Sequence, residues 1–252
     1  MMRFLLVLTA LVALLWFAAA QVPLGFALRK LPLNASGVQW TQSEGTIWNG
    51  RIMGVYLNGQ PVGDVDVALK PLSLISFEPS MDVQWGGAGG RGAGTVTILD
   101  EDSVEVSDLR LEQSISSLES LSPDLRAIGG TFRVSQGLIR IEGPVCESAR
   151  GRLQTDTLAL AARRFGRQFS DLTGTLRCSN GAFDLTLEGD SPAGDSLAIN
   201  GEATLQGSAT INVVADTQDR EIETLLANAG FSRENGTWVY RRTAEPAGTL
   251  QP

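Results

Sequence analysis

Gly45-Thr46-Ile47-Trp48-Asn49-Gly50-Arg51 sets the pattern from which the rest of the chain is read. Its opening Gly-Thr-apolar triplet returns at Gly94-Thr95-Val96, Gly130-Thr131-Phe132 and Gly174-Thr175-Leu176, with a looser echo at Gly201-Glu202-Ala203-Thr204-Leu205. Glycine permits a positive φ or a bulge, and a β-branched residue before alternating side chains favours a pleated, half-buried strand. Each triplet therefore predicts the start of a strand.

The residues downstream of two of the triplets extend this. Residues 131–134 lead through Ser135-Gln136-Gly137 into residues 138–142, and residues 175–178 lead through Ser179-Asn180-Gly181 into residues 182–189. Both read as hairpins, with glycine-bearing turns between period-two runs. In the second, Phe183, Leu185 and Leu187 point to one face while Asp184, Thr186 and Glu188 point to the other. The triplets recur at intervals too irregular for a solenoid. The predicted fold is mainly β: an extended, curved antiparallel sheet of successive hairpins, with one N-terminal transmembrane helix and one or two short covering helices.

A chain of 252 residues can bury a sizeable core. No Pro/Ser-rich linker divides its middle, so the expected organisation is a membrane anchor and flank over residues 1–30, one β domain over 31–242, and a disordered Pro/Gly tail over 243–252. A net charge of -8 with no basic stripe excludes nucleic acid as a partner. The sequence has no histidine, which removes the usual general base near neutral pH and the commonest zinc ligand. No nucleophile with a base, no metal cluster and no cofactor motif is readable. The glycine-rich residues 86–94 lack a downstream Gly-Lys-Ser/Thr and read as a hairpin tip or bulge rather than a phosphate loop. Asp100-Glu101-Asp102 lacks the calcium-loop pattern and reads as a solvated turn.

Residues 4–20 form an uncharged apolar run, and continuing through Val22-Pro23-Leu24-Gly25-Phe26-Ala27-Leu28 makes it long enough to cross a bilayer, with Arg29 and Lys30 as the first charges beyond. The run is longer than the apolar part of a signal peptide, which favours a retained anchor over cleavage after Ala18-Ala19-Ala20. The flanking charges leave its orientation open. Cys146 and Cys178 are the only cysteines. Without histidine, a metal site has too few ligands, which leaves a disulfide or two small buried apolar residues. A disulfide would tie successive hairpins together and place the domain in an oxidising compartment.

Along the rest of the chain, residues 38–44 read as a first alternating strand, Asn58-Gly59 as a hairpin turn, and residues 62–69 as a strand ended by Lys70-Pro71. Leu111, Ile115, Leu118, Leu121 and Leu125 step at helical spacing, with Pro123 placed to open a second short helix. Asp216 is the expected N-cap of a helix over residues 218–229 that Gly230 ends. Thr237-Trp238-Val239-Tyr240-Arg241 reads as a last strand.

Gly45-Thr46-Ile47-Trp48-Asn49-Gly50-Arg51, placed shortly after one N-terminal membrane segment, resembles the Gly-Thr-apolar-Trp-x-Gly signature of type II secretion system protein N. Leu69-Lys70-Pro71-Leu72-Ser73-Leu74 resembles that family's strand-Pro-Leu stretch, although Val67-Ala68 stand where the family often shows Trp. Ser191-Pro192-Ala193-Gly194-Asp195-Ser196-Leu197, residues 218–230 and Gly236-Thr237-Trp238 resemble its C-terminal end. The resemblance implies a single-pass inner-membrane protein with a periplasmic β domain. It also implies an accessory, non-enzymatic role in exporting folded proteins, exercised through other secretion components. The alternative is an AsmA-like β groove that carries lipid. An apolar face open along its length favours the groove; one filled or capped by helices favours the accessory role.

Overall fold

The computed structural model describes residues 21–29, 37–57, 59–87, 89–118 and 123–244. The chain divides into two compact units that meet in sequence between Ala93 and Gly94. The predicted anchor over residues 4–20 lies outside the described residues, and among those described no helix is long and apolar enough to cross a membrane.

The first unit opens with a short helix, α1 (Leu24–Leu28), then β1 (Val38–Gln39), β2 (Gln42–Thr46), β3 (Asn49–Leu57), β4 (Gln60–Leu69) and β5 (Ser80–Gly87). β6 (Gly90–Ile98) carries the chain into the second unit. β1 and β2 both pair with the same edge of β3, β4 pairs with its other edge, and β5 pairs with β4, all antiparallel. The expected single strand over residues 38–44 is therefore two pieces. Thr41 interrupts it, its amide and its hydroxyl both donating to the Met53 carbonyl, at 3.1 and 2.8 Å. The turn at Gly59 joins β3 to β4 as the sequence predicts, with Leu57 paired to Gln60.

The second unit contains β7 (Ser103–Ser114), α2 (Pro123–Ile128), β8 (Thr131–Glu142), β9 (Val145–Thr155), α3 (Thr157–Arg164), β10 (Leu172–Ser179), β11 (Ala182–Asp190), β12 (Ser196–Ala203), β13 (Ala209–Asp216), α4 (Arg220–Asn228), β14 (Ser232–Glu234) and β15 (Thr237–Ala244). From β7 to β13 each strand pairs antiparallel with the next in sequence, and β15 then lies between β13 and β14. The predicted mainly β, antiparallel, hairpin-built class with few short helices is what forms. Its core lies on one face of these strands, where Val134, Leu153, Leu172 and Leu187 are buried and Leu176, Leu185 and Ile199 pack beside them half-buried.

Several local expectations are corrected. Of the Gly-Thr triplets only the one at Gly130 opens a strand: Gly45-Thr46 ends β2, Gly94 and Gly174 lie inside β6 and β10, and Gly201 lies near the end of β12. Inside a sheet the glycine serves close approach, because a Cβ at Gly174 would collide with the Thr186 carbonyl on β11. Ser135-Gln136-Gly137 is a bulge within one long strand, not a turn. The pairing with β9 continues on both sides, from Ser135 with Arg152 to Leu138 with Arg150, while Gln136 takes a φ of 54°. The helical spacing from Leu111 is overridden up to Ser114 by pairing with β8, and a short 3-10 turn (Ile115–Ser117) follows, while Leu121 lies outside the described residues. Pro123 does open α2. The N-cap of α4 is Asp219 rather than Asp216, which is the last residue of β13.

Candidate functional site

Three places carry the residues singled out by sequence. The first is the Gly45–Gly50 signature, which forms the tight turn between β2 and β3, with Gly45 paired to Gly50 and Thr46 to Asn49. Gly45 takes a φ of 80°, and a Cβ there would stand 2.5 Å from the Asn49 carbonyl oxygen. Gly50 is buried for a different reason. A Cβ on it would lie 2.7 Å from Cδ2 of Leu24, so its bareness is what lets α1 rest on the hairpin. Leu24 and Leu28 are the buried side of that helix.

Backbone bonds complete this joint. The Ile47 amide donates to the Val22 carbonyl at 3.2 Å, and the Leu69 amide donates to the Ile47 carbonyl at 3.2 Å. Pro23 forms an isolated antiparallel bridge with Thr46. The segment from Val22 to Leu28 therefore belongs to the sheet body, which corrects its reading as a continuation of the membrane run. Ile47 and Trp48 occupy the turn and are half-buried.

The second place is the cysteine pair. Cys146 on β9 and Cys178 on β10 form a disulfide across neighbouring strands, with Cα atoms 5.7 Å apart. Cys146 is buried, and its amide donates at 2.9 Å to the carbonyl of Gly181, in the turn after β10. The bond fixes the ends of two hairpins against each other.

The third place is the pair of faces of the β8–β11 region. The apolar face is covered in part by the helices. Ala159 of α3 is buried, and Asp156, just before that helix, accepts the Thr131 amide at 2.6 Å. Between α3, α4 and strands β12 and β13 an apolar cavity of about 190 Å³ remains, lined by Leu158, Phe165, Leu197, Ile222, Leu225 and others. Arg167 spans its rim, donating to Asp219 at 2.8 Å and to Glu221 at 2.9 Å.

The opposite face carries a feature the sequence reading missed. Arg150 and Arg152 are two apart on β9, Arg177 lies directly opposite Arg150, and Thr175 lies opposite Arg152. All three arginines border an open concavity of about 660 Å³, together with Gln136, Ser148 and Glu147. None of the three forms an ion pair among the described residues, whereas Arg140 reaches Glu105 at 2.7 Å and Arg241 reaches Glu234 at 2.8 Å. Like charges directly opposite each other in a sheet are unfavourable. The signal was present as alternate polar positions on two cysteine-linked strands, but register alone brings Arg150 to Arg177. Among the described residues no three metal-ligating side chains converge.

A family model described as type II secretion system (T2SS), protein N, matches residues 36–240. No curated protein and no solved structure matches the chain.

Proposed function

We propose that this chain, which belongs to the type II secretion system protein N family, acts as an inner-membrane-anchored accessory component whose β domain, residues 31–242, lies in the periplasm and engages other secretion components. The family match carries the secretion role. The disulfide supports an oxidising compartment for the β domain. The apolar run over residues 4–20 supports an anchor.

Binding to protein rather than carriage of lipid is the reading the faces favour. The centre of the apolar face is buried, helices α3 and α4 cover one part of it, and the cavity left beneath them, about 190 Å³, falls below the roughly 300–1,000 Å³ typical of sites that enclose a ligand. The arginine face is larger and open, and although Glu147 borders it and Asp184 lies opposite Arg177, its three arginines form no ion pair among the described residues, so an acidic surface of another protein is its complement.

Cross-linking in intact cells tests this. A bifunctional reagent applied to the periplasm is expected to join the chain to other secretion components. Recovery of phospholipid adducts alone would replace the accessory reading with the lipid-carrying one.

A further inference from the structure

The most exposed large apolar side chains of the described residues are gathered in one loop of the first unit. After β4 the chain makes a 3-10 turn (Pro71–Leu74) and continues to Phe77, and along it Leu72 is 79 %, Ile75 75 % and Phe77 89 % exposed. Leu74 is exposed as well. The loop is built rather than slack. Ser73 Oγ donates to the Lys70 carbonyl at 2.7 Å and accepts the Ser80 amide at 2.8 Å, Ser76 Oγ donates to the Ser73 carbonyl at 2.9 Å, and the Lys70 amide donates to the Ser80 carbonyl at 2.8 Å. Phe77 is held at a φ of 61°, a conformation that a bulky residue adopts only when its surroundings impose it. These bonds satisfy much of the loop's own backbone while its large side chains face outward. That combination lowers the cost of meeting an apolar medium, where an unpaired backbone group is expensive.

The position of the loop identifies the medium. Leu69, the residue before Lys70, is bonded to Ile47, and Ile47 is bonded to Val22, which stands two residues after the apolar run that ends at Ala20. Two residues of extended chain span about 7 Å. The exposed loop and Val22 therefore lie at the same end of this unit. Phe26, on the outer side of α1, is exposed at that end too. Leu57, at the other end of β3, is separated from it by the length of the strand, about 25–30 Å.

We propose that the loop from Pro71 to Phe77 beds in the bilayer interface beside the membrane anchor, so that the first unit meets the membrane at two points and is held in a fixed orientation. Leu72, Ile75 and Phe77 sit at the level where acyl chains meet headgroups, while Lys70 at the foot of the loop stays paired with Asp82 at 2.7 Å. Two attachments restrain tilt in a way one flexible tether does not. This rests on the anchor reading, and its test separates the two.

The test uses the full chain, reconstituted in nanodiscs of phosphatidylethanolamine and phosphatidylglycerol, with single cysteines labelled by an environment-sensitive fluorophore. Leu72→Cys, Ile75→Cys and Phe77→Cys are expected to shift to the blue and lose intensity to bromine on the upper acyl chain. Leu57→Cys, equally apolar but at the far end, is expected to do neither. Three loop positions keep the reading independent of any one variant that fails to fold, and retention of the native disulfide certifies folding. Absence of quenching at all three, in protein that stays in the membrane through carbonate extraction, overturns the loop contact and leaves the anchor standing. Quenching at Leu57→Cys as strong as in the loop overturns it as well, since adsorption is then unspecific. Capture of the loop by another protein in place of lipid gives no bromine quenching and counts against it. Carbonate extraction reports on the anchor alone.

Discussion

Gly50 and Leu24 meet with no room for one more carbon: a Cβ on Gly50 would lie 2.7 Å from Cδ2 of Leu24 and 2.7 Å from the Thr46 carbonyl oxygen. The glycine that closes the signature therefore seats the segment after the apolar run on the first hairpin of the sheet. Gly50→Ala is expected to displace α1 and to cost about 1–3 kcal/mol through overpacking. Limited trypsin digestion checks it: cleavage after the exposed Arg29 should accelerate in Gly50→Ala and stay unchanged in Gly86→Ala, where nothing lies within 4 Å of the added carbon. Equal rates in the two variants would mean that α1 is not seated on Gly50.

The disulfide links Cys146 and Cys178 across a sequence separation of 32. By chain entropy that closure is worth about 3–4 kcal/mol, supplied by constraint of the unfolded chain. The double variant Cys146→Ser, Cys178→Ser should therefore unfold at clearly lower urea, and wild type in reductant should approach it. If reduced and oxidised wild type unfold together, the bond is not a staple of the second unit.

Acid should loosen α4 in a defined window. Asp219 accepts from the Glu221 and Ile222 amides at 2.8 and 3.2 Å and from Arg167 at 2.8 Å. The Arg167 guanidinium first, and the Ile222 amide next, hold its carboxyl below the ordinary 3.8. A carboxyl depressed on folding contributes stability that is fully present above the unfolded value and is lost as pH falls through the lower folded value. Glu234 beside Arg241 and Asp66 beside Arg51 add in the same direction. Wild type should lose stability as pH drops below about 4, and Asp219→Asn, which still caps the helix, should lose less over that window. Parallel urea midpoints for the two from about pH 5 to about pH 3 would contradict the role of that charge.

Arg177 faces Arg150 across the β9–β10 pair with no acid bonded to either among the described residues. Arg177 has Asp184 opposite it on β11 as well, whereas the other partner of Arg150 is Leu138 on β8, so Arg150→Glu is the change that converts a repulsive cross-strand pair into an attractive one, and it should raise stability by a few tenths to about 1 kcal/mol. In cells the same change should reduce cross-linking to secretion components, so stability and binding move in opposite directions. A variant that is both more stable and fully competent in cross-linking would remove this face from the contact.

The hairpin turns at Gly59 and Gly181 were legible because Asn-Gly supplies the positive φ a two-residue turn requires: Asn180 takes 52° and Gly181 80°. The disulfide was legible as one of two choices, since nothing else in a chain without histidine engages two cysteines. Ser135-Gln136-Gly137 misled because turn and bulge use the same residues, and the difference between them is whether the partner strand continues past, as β9 does. The helical spacing read forward from Leu111 competes with the strand alternation of Leu109, Arg110 and Leu111 that leads into it, and pairing with β8 decides the residues up to Ser114. The arginine cluster and the apolar loop were hidden for another reason. Both are juxtapositions created by register and by backbone bonds between distant segments, which no local pattern encodes.

If the β domain works by contact with protein and its apolar face is structural, a photo-activatable residue at Arg177, and separately at Leu225 beside the small apolar cavity, reports both in intact cells. Adducts with other secretion components are expected from position 177, and no phospholipid from position 225. Phospholipid captured at 225, with no protein captured at 177, would reverse the two roles and leave the lipid-carrying groove in their place.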